Sequence, residues 1–269
     1  MELSLERDVK PVVEKLARPG SRLLVVVSAL AALAAWEGAA RWGGFPPFIL
    51  PAPGQVWARF LIAAADGSLP RNAAATLLEV VLGLIAGVTL ATITGYMLGK
   101  SRLLERLLAP YLVASQAIPV VAIAPLLVIW FPAGIFSKVL ICALIVFFPV
   151  LVNTVVGVRA VPSNLRDLMR SMRATPYQML RYLEIPAALP VFLGGLRIGA
   201  TLSVIGAVVG EFVGSDRGLG FLVNVGRGQF DTALVFVAVF TLVALALGLY
   251  GAVVLLEKRL LAWQRRPRQ

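Results

Sequence analysis

The residues that could carry out chemistry in this chain are few, and most of them are arginines or isolated carboxylates. Among 269 residues there is no histidine and a single cysteine, Cys142. Without histidine, neither an HExxH zinc site nor a Ser-His-Asp triad can form. The sequence also contains no GxxxxGK(S/T) phosphate loop and no GxSxG nucleophile elbow. We therefore predict that the chain is not an enzyme and that it holds no catalytic residue, metal or cofactor of its own.

Glu211 is the carboxylate with the clearest candidate role. The acidic residues of the apolar stretches are Glu37, Glu79, Glu211 and Glu257. Charged side chains are costly within a bilayer and usually face protein or water. Glu211 precedes a turn-rich segment at residues 214–220. It has two interpretations: a gate or ligand contact at the outer end of its helix, or a structural partner of Arg217 or Arg227, which we favour.

Arginine is concentrated in the polar stretch from Pro162 to Pro190. Apolar residues recur there at helical spacing, and arginines occupy the other faces. A second short helix is predicted from Thr175, with Pro176 at its first position, Gln178 closing a capping box and Pro186 ending it. The apolar residues of the first helix are Leu165, Leu168, Met169 and Met172. The amphipathic pair at 163–185 predicts either a docking surface or an interfacial helix lying among lipid headgroups.

The elements that position these residues are apolar helices. Hydrophobic residues make up 59% of the chain and charged residues 14%, which is typical of a membrane protein. A bilayer span needs roughly 20 apolar residues. The sequence therefore predicts an all-α, polytopic membrane protein with six transmembrane helices, at about Leu23–Ala40, Thr76–Leu98, Leu107–Trp130, Ile135–Val156, Leu189–Val213 and Thr232–Leu256.

The net charge of +11 reports membrane topology and not nucleic-acid binding. With the N-terminus placed in the cytoplasm, the segments predicted on the cytoplasmic side carry most of the basic residues, and those on the outer side carry few. Arg197 is set aside because it lies within a span. This bias is the positive-inside rule, so both termini are predicted to be cytoplasmic. The basic residues assigned to the outer side are Arg41, Arg59, Arg71, Lys138, Arg217 and Arg227.

Small residues form stripes in the second and fifth predicted spans. Such stripes let helices approach closely in lipid, so helix packing is the favoured interpretation and a substrate path the alternative. The stripe residues are Gly83, Gly87, Ala91, Gly95 and Gly99 in the second span, and Gly195, Gly199, Ser203 and Ala207 in the fifth.

The third span is interrupted by polar and proline residues. Each proline frees a backbone carbonyl, and broken helices persist in membranes where they are buried in protein or line a cavity. We favour a translocation path here over a kinked packing helix. A tight turn at Pro132–Gly134 pairs this span with the fourth. The predicted path residues are Ser115, Gln116, Pro119, Pro125, Thr201 and Ser203.

Three regions are predicted along the chain. Residues 1–22 form a cytoplasmic amphipathic segment, residues 23–257 a transmembrane domain, and residues 258–269 a cytoplasmic basic tail.

The stretch from Asp167 to Pro190 resembles the cytoplasmic "EAA" loop of binding-protein-dependent ABC importer permeases. Asp167 stands where the family has its glutamate, and residues 185–190 match its terminal (L/I)-P-A-A-L-P. Leu168 and Met169 replace two alanines, and Arg173 replaces the glycine of the turn. Residues 118–127, 148–154 and 218–222 look like the nitrate/sulfonate/taurine group. Residues 203–212 look most like members that import aromatic heterocycles such as pyrimidine or flavin precursors.

The resemblance implies the type I ABC importer permease fold and a half-transporter. Two copies would pair in the bacterial inner membrane, two ATPase subunits carrying ATP and Mg would dock on the cytoplasmic loops, and an extracytoplasmic binding protein would deliver a small solute. The residues implied in ATPase coupling are Asp167, Leu168, Met169, Arg170, Arg173, Ala174, Tyr177 and Pro186.

Two other functions remain open from the residues alone. A stand-alone secondary transporter is motivated by the broken third span. A membrane structural or assembly protein would explain the packing stripes but not the arginine-rich loop. The solute itself is expected to be a nitrate-, sulfonate- or taurine-like anion or an aromatic heterocycle.

Overall fold

The computed structural model describes residues 19–131 and 134–262, and within these ranges every regular element is a helix. The helices are α1 (Pro19–Trp42), α2 (Pro53–Ala65), α3 (Ser68–Lys100), α4 (Arg102–Gln116), α5 (Val120–Trp130), α6 (Ile135–Arg159), α7 (Ser163–Ser171), α8 (Pro176–Met179), α9 (Ile185–Gly214), α10 (Leu219–Gly228) and α11 (Thr232–Leu260). Most of the predicted N-terminal segment, two residues of the Pro132–Gly134 turn and most of the basic tail lie outside the described residues.

Five runs of helix are each long and apolar enough to cross a membrane, and a bent pair makes a sixth when it is counted as one broken span. The five are α1, α3, α6, the run from α8 through α9, and α11. The pair is α4 with α5, bent by 93°. Six predicted spans are thereby confirmed. The helices are longer than the predicted apolar spans, because backbone hydrogen bonding continues beyond the ends of each apolar stretch. For example, α3 begins at Ser68 instead of Thr76.

Helix α6 lies between α3 and α9. Its contacts with these two helices are the two largest helix interfaces of the described chain. The small-residue stripes of α3 and α9 both face α6. A Cβ atom on Gly83 would lie 2.2 Å from Cβ of Cys142, and one on Gly206 would lie 2.8 Å from its Cα. The side chain of Cys142 is fully buried at this crossing. The predicted packing role of the stripes is confirmed.

The bend between α4 and α5 falls at Ala117–Pro119. Pro119 has φ −67° and ψ 116° and stands at the start of α5. Its ring disfavours a helical conformation at Ile118, the residue before it. Helix α4 contains Pro110 and α5 contains Pro125, so the break follows the proline pattern of the sequence.

The bundle has two chemically different ends. The cap end is formed by α2, α10, residues 43–52 and residues 214–218, over a core that includes Val56, Leu219 and Leu234. The basic end is formed by α7, α8 and the adjoining ends of α3, α6 and α11, where Lys100, Arg159, Lys258 and Arg259 lie.

The prediction that Pro186 ends the second short helix is wrong. From Pro176 to Gly214 the chain is helical without interruption, a run of 39 residues. Pro186 lacks an N–H, and its ring would clash with the carbonyl four residues back in a regular α-helix. The helix instead widens into a π turn at Leu180–Glu184, where the N–H of Ile185 donates to the carbonyl of Leu180.

Candidate functional site

The arginine-rich hairpin, residues 163–184, extends from the basic end with its apolar side chains uncovered. No residue of α7 or α8 is buried. Leu168 is 56% exposed, Met172 71% and Tyr177 67%. Apolar side chains interspersed with arginine on one short amphipathic element are typical of a surface that another protein covers.

Arg173 makes the turn of this hairpin in a left-handed conformation, with φ +56°. The N–H of Arg173 donates to the carbonyl of Arg170 at 2.9 Å, and the N–H of Ala174 donates to that of Met169 at 3.0 Å. These two bonds form a Schellman motif, which ends a helix with a residue that is usually glycine. The turn therefore keeps its geometry even though arginine replaces the glycine of the resembled family.

The second helix of the hairpin begins with the predicted capping box. The N–H of Gln178 donates to Oγ1 of Thr175 at 3.3 Å, and the N–H of Thr175 donates to Oε1 of Gln178 at 2.8 Å. Both backbone donors are satisfied locally, so this helix starts without help from the rest of the bundle.

Among the described residues, side-chain hydrogen bonds attach the hairpin to the bundle at two places. Arg166 donates from Nη2 to the carbonyl of Val158 at 2.7 Å, satisfying a carbonyl at the end of α6. Glu184 accepts from Lys100 and Tyr96 of α3 at 2.5 and 2.9 Å.

Seven of the eight residues implied in ATPase coupling share the hairpin, whereas Pro186 lies in the first turn of α9. Asp167 is exposed, and its carboxylate lies 3.6 Å from the guanidinium of Arg170. The hairpin residues are Asp167, Leu168, Met169, Arg170, Arg173, Ala174 and Tyr177.

Glu211 lies at the cap end, 1% exposed, and its expected pairing with Arg217 or Arg227 is wrong. It accepts from the hydroxyl of Thr76 at 2.6 Å and from the backbone N–H of Gly220. The same hydroxyl oxygen accepts from the N–H of Leu219 at 2.8 Å. Glu211 thus ties α3, α9 and the start of α10 together. Whether it also gates a path stays a prediction.

Lys138, which was assigned to the outer side of the membrane, lies near the cap end of α6 with its side chain buried. Its ammonium lies 2.9 Å from Oε1 of Glu79, and the two side chains are 4% and 3% exposed. It also donates to the hydroxyl of Ser215 at 2.5 Å. The sequence analysis did not predict this ion pair. A lysine three residues into a strongly apolar helix was the feature that could have indicated it, because such a charge needs a partner within the protein.

The six predicted path residues occupy two places. Ser115, Gln116 and Pro119 lie exposed around the bend, and Pro125 is exposed further along α5. Thr201 is half-buried on α9. Ser203 is fully buried between α9 and α6, where its carbonyl accepts from Sγ of Cys142 at 3.4 Å, which is a packing position. A path formed by this set stays a prediction.

A six-span helical bundle with an exposed amphipathic hairpin at its basic end defines a polytopic membrane protein. Residues 80–262 match the family described as binding-protein-dependent transport system inner membrane component. The chain belongs to this family, and it is an ABC importer permease for a small solute, with the type I permease fold, embedded in the inner membrane.

Three relatives cover most of the chain. It is 46% identical to the riboflavin transport system permease protein RibX of Chloroflexus aurantiacus, over 88% of this chain and 89% of that protein. It is 38% identical to the formylaminopyrimidine transport permease protein ThiX of Halalkalibacterium halodurans, over 86% and 92%. It is 34% identical to the taurine transport system permease protein TauC of Escherichia coli, over 86% of each. All three are named as transport permeases.

Proposed function

We propose that this chain is one half of the membrane channel of an ATP-driven importer. Two copies would face each other, two separate ATPase subunits holding ATP and Mg would dock at the basic ends, and a binding protein would deliver solute at the cap ends. The basic end would be cytoplasmic under the positive-inside rule, with both termini on that side.

The observation that carries this proposal is the arginine-rich hairpin. It leaves Leu168, Met172 and Tyr177 mostly exposed at the charged end of the bundle, where the surroundings are water and headgroups. An ATPase that covered this surface would push on the hairpin when it closes around ATP. A stand-alone secondary carrier has no use for such a surface.

The exposed face around the bend between α4 and α5 supports the pairing of this chain with a second copy. Helix α4 has no buried residue, and it exposes Leu107, Tyr111 and Val113 beside Ser115 and Gln116. A second chain packed against this face would cover the apolar side chains. It would also enclose the few polar groups of the bend between two half-channels.

For the solute we favour a neutral or aromatic heterocycle of the riboflavin or pyrimidine class. The relatives named for riboflavin and formylaminopyrimidine are 46% and 38% identical, against 34% for the taurine permease. Residues 107–130, which include the bend, contain no lysine or arginine that would attract an anion. A nitrate-, sulfonate- or taurine-like anion is the alternative.

The experiment is native mass spectrometry of the complex purified from source membranes through a tag on this chain. Two copies with two P-loop ATPase chains are expected, and a binding protein that co-purifies would identify the solute. Recovery of this chain alone, together with uptake into liposomes driven by an ion gradient, would support the secondary carrier instead.

Coupling through the hairpin is tested with the double variant Asp167→Lys, Leu168→Asp. The variant should still reach the membrane, since both side chains are exposed, but ATP hydrolysis should no longer drive transport. Wild-type coupling in the purified variant complex would contradict the proposal.

A further inference from the structure

Glu184 is a buried carboxylate at the point where the arginine-rich hairpin joins the transmembrane bundle. It is 1% exposed and ends the widened turn Leu180–Glu184. A buried carboxylate is costly unless it is paired and hydrogen-bonded. The residues that compensate Glu184 therefore determine where the hairpin is held.

Both compensating residues come from one helix, α3. The ammonium of Lys100 lies 2.5 Å from Oε1 of Glu184, and the hydroxyl of Tyr96 donates to Oε2 at 2.9 Å. Lys100 also lies 5.7 Å from the centroid of the Tyr96 ring, within the range of a cation–π contact. Each carboxylate oxygen has its own donor, so this three-residue joint fixes the Glu184 side chain against α3.

Beside the joint, α3 and the start of α9 are separated by an open apolar groove. The groove has a volume of about 480 Å³ and is lined by Thr92, Tyr96, Thr154, Glu184 and Phe192 among others. Both helices pack closely on α6 at this level, where a Cβ atom on Gly99 would lie 2.9 Å from Cβ of Val158 and one on Gly157 would lie 3.0 Å from the carbonyl of Ala188. The polar joint is therefore a direct connection between the hairpin and α3 across the groove.

The other attachment of the hairpin leads to a different helix. Arg166 of α7 donates to the carbonyl of Val158, at the end of α6. Helix α6 is locked between α3 and α9 by close contacts such as that of Gly206 with Cys142. Of the two attachments, the one at Glu184 thus acts on α3, and it does so through a buried carboxylate.

We propose that Glu184, held by Lys100 and Tyr96, is a positioning residue that transmits movement of the hairpin to α3 during the ATP cycle. This inference rests on the proposed function. It assigns the transmission to a joint outside the hairpin surface that would meet the ATPase. Without the joint, movement of the hairpin would bend the chain at the widened turn Leu180–Glu184 and would not reach α3 directly.

The test uses the full complex of this chain with its ATPase and binding-protein partners in proteoliposomes. Solute moved per ATP hydrolysed is measured for wild type, for Glu184→Gln and for Tyr96→Phe, which removes a single hydroxyl. The matched control is Glu105→Gln. Glu105 pairs with Arg159 at the same basic end, at 2.6 Å, but connects α4 to α6 and does not touch the hairpin.

Glu184→Gln is expected to lower the transport-to-hydrolysis ratio by about tenfold, within the usual range of coupling between linked sites. Tyr96→Phe should lower it less, and Glu105→Gln should leave it close to wild type. The charge-exchanged pair Glu184→Lys, Lys100→Glu should recover part of the ratio.

A wild-type ratio in both Glu184→Gln and Tyr96→Phe would overturn the inference and leave the proposed function standing. An equal loss in Glu105→Gln would also overturn it, because the effect would then be general to this end of the bundle. A wild-type complex that moves no solute with ATP would overturn the proposed function and the inference together.

Discussion

Arg173 adopts a backbone conformation that is unfavourable for any residue with a Cβ atom. Its φ of +56° lies in the left-handed region, which costs an L-residue roughly 1–2 kcal/mol. Glycine has no such penalty but loses more chain entropy on folding. We expect Arg173→Gly to stabilise the hairpin turn by about 1 kcal/mol.

Hydrogen exchange of the peptides around residues 165–175 measures this change directly. An added 1 kcal/mol should slow exchange of the turn amides about fivefold. Arg170→Gly is the matched control, because Arg170 lies in the last turn of α7 and glycine in a helix costs up to about 1 kcal/mol. In the Arg170→Gly variant, the amides of residues 165–175 should exchange faster than in wild type. If Arg173→Gly also exchanged faster, the left-handed turn would not be the conformation of the hairpin in solution.

The buried pair of Lys138 and Glu79 yields a second prediction at the same scale. Both side chains are almost fully buried, and Oε2 of Glu79 has no hydrogen-bond partner among the described residues. Lys138→Met would leave Glu79 buried and unpaired close to Glu211. We expect a loss of about 3 kcal/mol in the free energy of unfolding, seen as a lower thermal midpoint in detergent.

Replacing both partners separates the charge from the packing. Lys138→Met with Glu79→Leu removes the two charges together, and such replacements of buried pairs are often nearly neutral. The double variant should therefore unfold well above the single variant. Equal midpoints would mean that the lysine acts through its contact with Ser215 and not through its ion pair.

At the scale of elements, the prediction concerns the contact of α3 with α6. A Cβ atom on Gly83 would meet Cβ of Cys142 at 2.2 Å and the carbonyl of Val139 at 3.1 Å. Gly83→Ala should therefore force the helices apart and lower the free energy of unfolding by about 1–3 kcal/mol. Thermal unfolding of the purified chain measures the loss.

The control for Gly83 is Gly248, on the exposed face of α11. An alanine there would meet nothing within 4 Å and should raise stability by up to about 1 kcal/mol through helix propensity. Adding Cys142→Gly to Gly83→Ala removes the clashing Cβ and should restore part of the loss. A Gly83→Ala chain as stable as wild type would show that α3 does not lie this close to α6.

The elements were largely predictable from the sequence because each has a local cause. Apolar windows define the spans, Pro119 breaks the third, and Thr175 with Gln178 starts the second hairpin helix. Small residues of α3 recur every fourth position from Gly83 to Gly99, with alanine at position 91, which defines a packing face without knowledge of its partner.

The polar partners could not be predicted, because each is brought together by packing of distant segments. Glu184 and Lys100 are 84 residues apart, and Glu211 and Thr76 are 135 apart. Many basic residues could neutralise either carboxylate, and a single sequence does not rank them. Pro186 was misread for a related reason: a widened turn accommodates the ring without ending the helix, which the residue type alone does not reveal.

In the whole molecule, close helix packing runs the length of the bundle, whereas ion pairs lie towards its ends. Small residues of α3 and α9 contact α6 from Lys138, which faces Gly210, through Cys142 to Val158, which faces Gly99. The ion pair of Lys138 lies at the cap end, and those of Lys100 and Arg159 lie at the basic end. The charged contacts therefore lie towards the helix ends, while the middle of the bundle stays apolar towards lipid.

The orientation of the whole molecule in the membrane is the last prediction. With the basic end in the cytoplasm, Arg227 near the cap end would face outward and Arg181 on the hairpin would face inward; both are exposed. The native Cys142 is buried with no exposure, so it contributes little background to thiol labelling. In spheroplasts, Arg227→Cys should react with a membrane-impermeant maleimide. Arg181→Cys should react only after the spheroplasts are lysed. Wild type is the background control. Labelling of Arg181→Cys before lysis, with protection of Arg227→Cys, would show that the topology is the reverse of the predicted one. The hairpin would then lie on the side of the membrane away from any cytoplasmic ATPase.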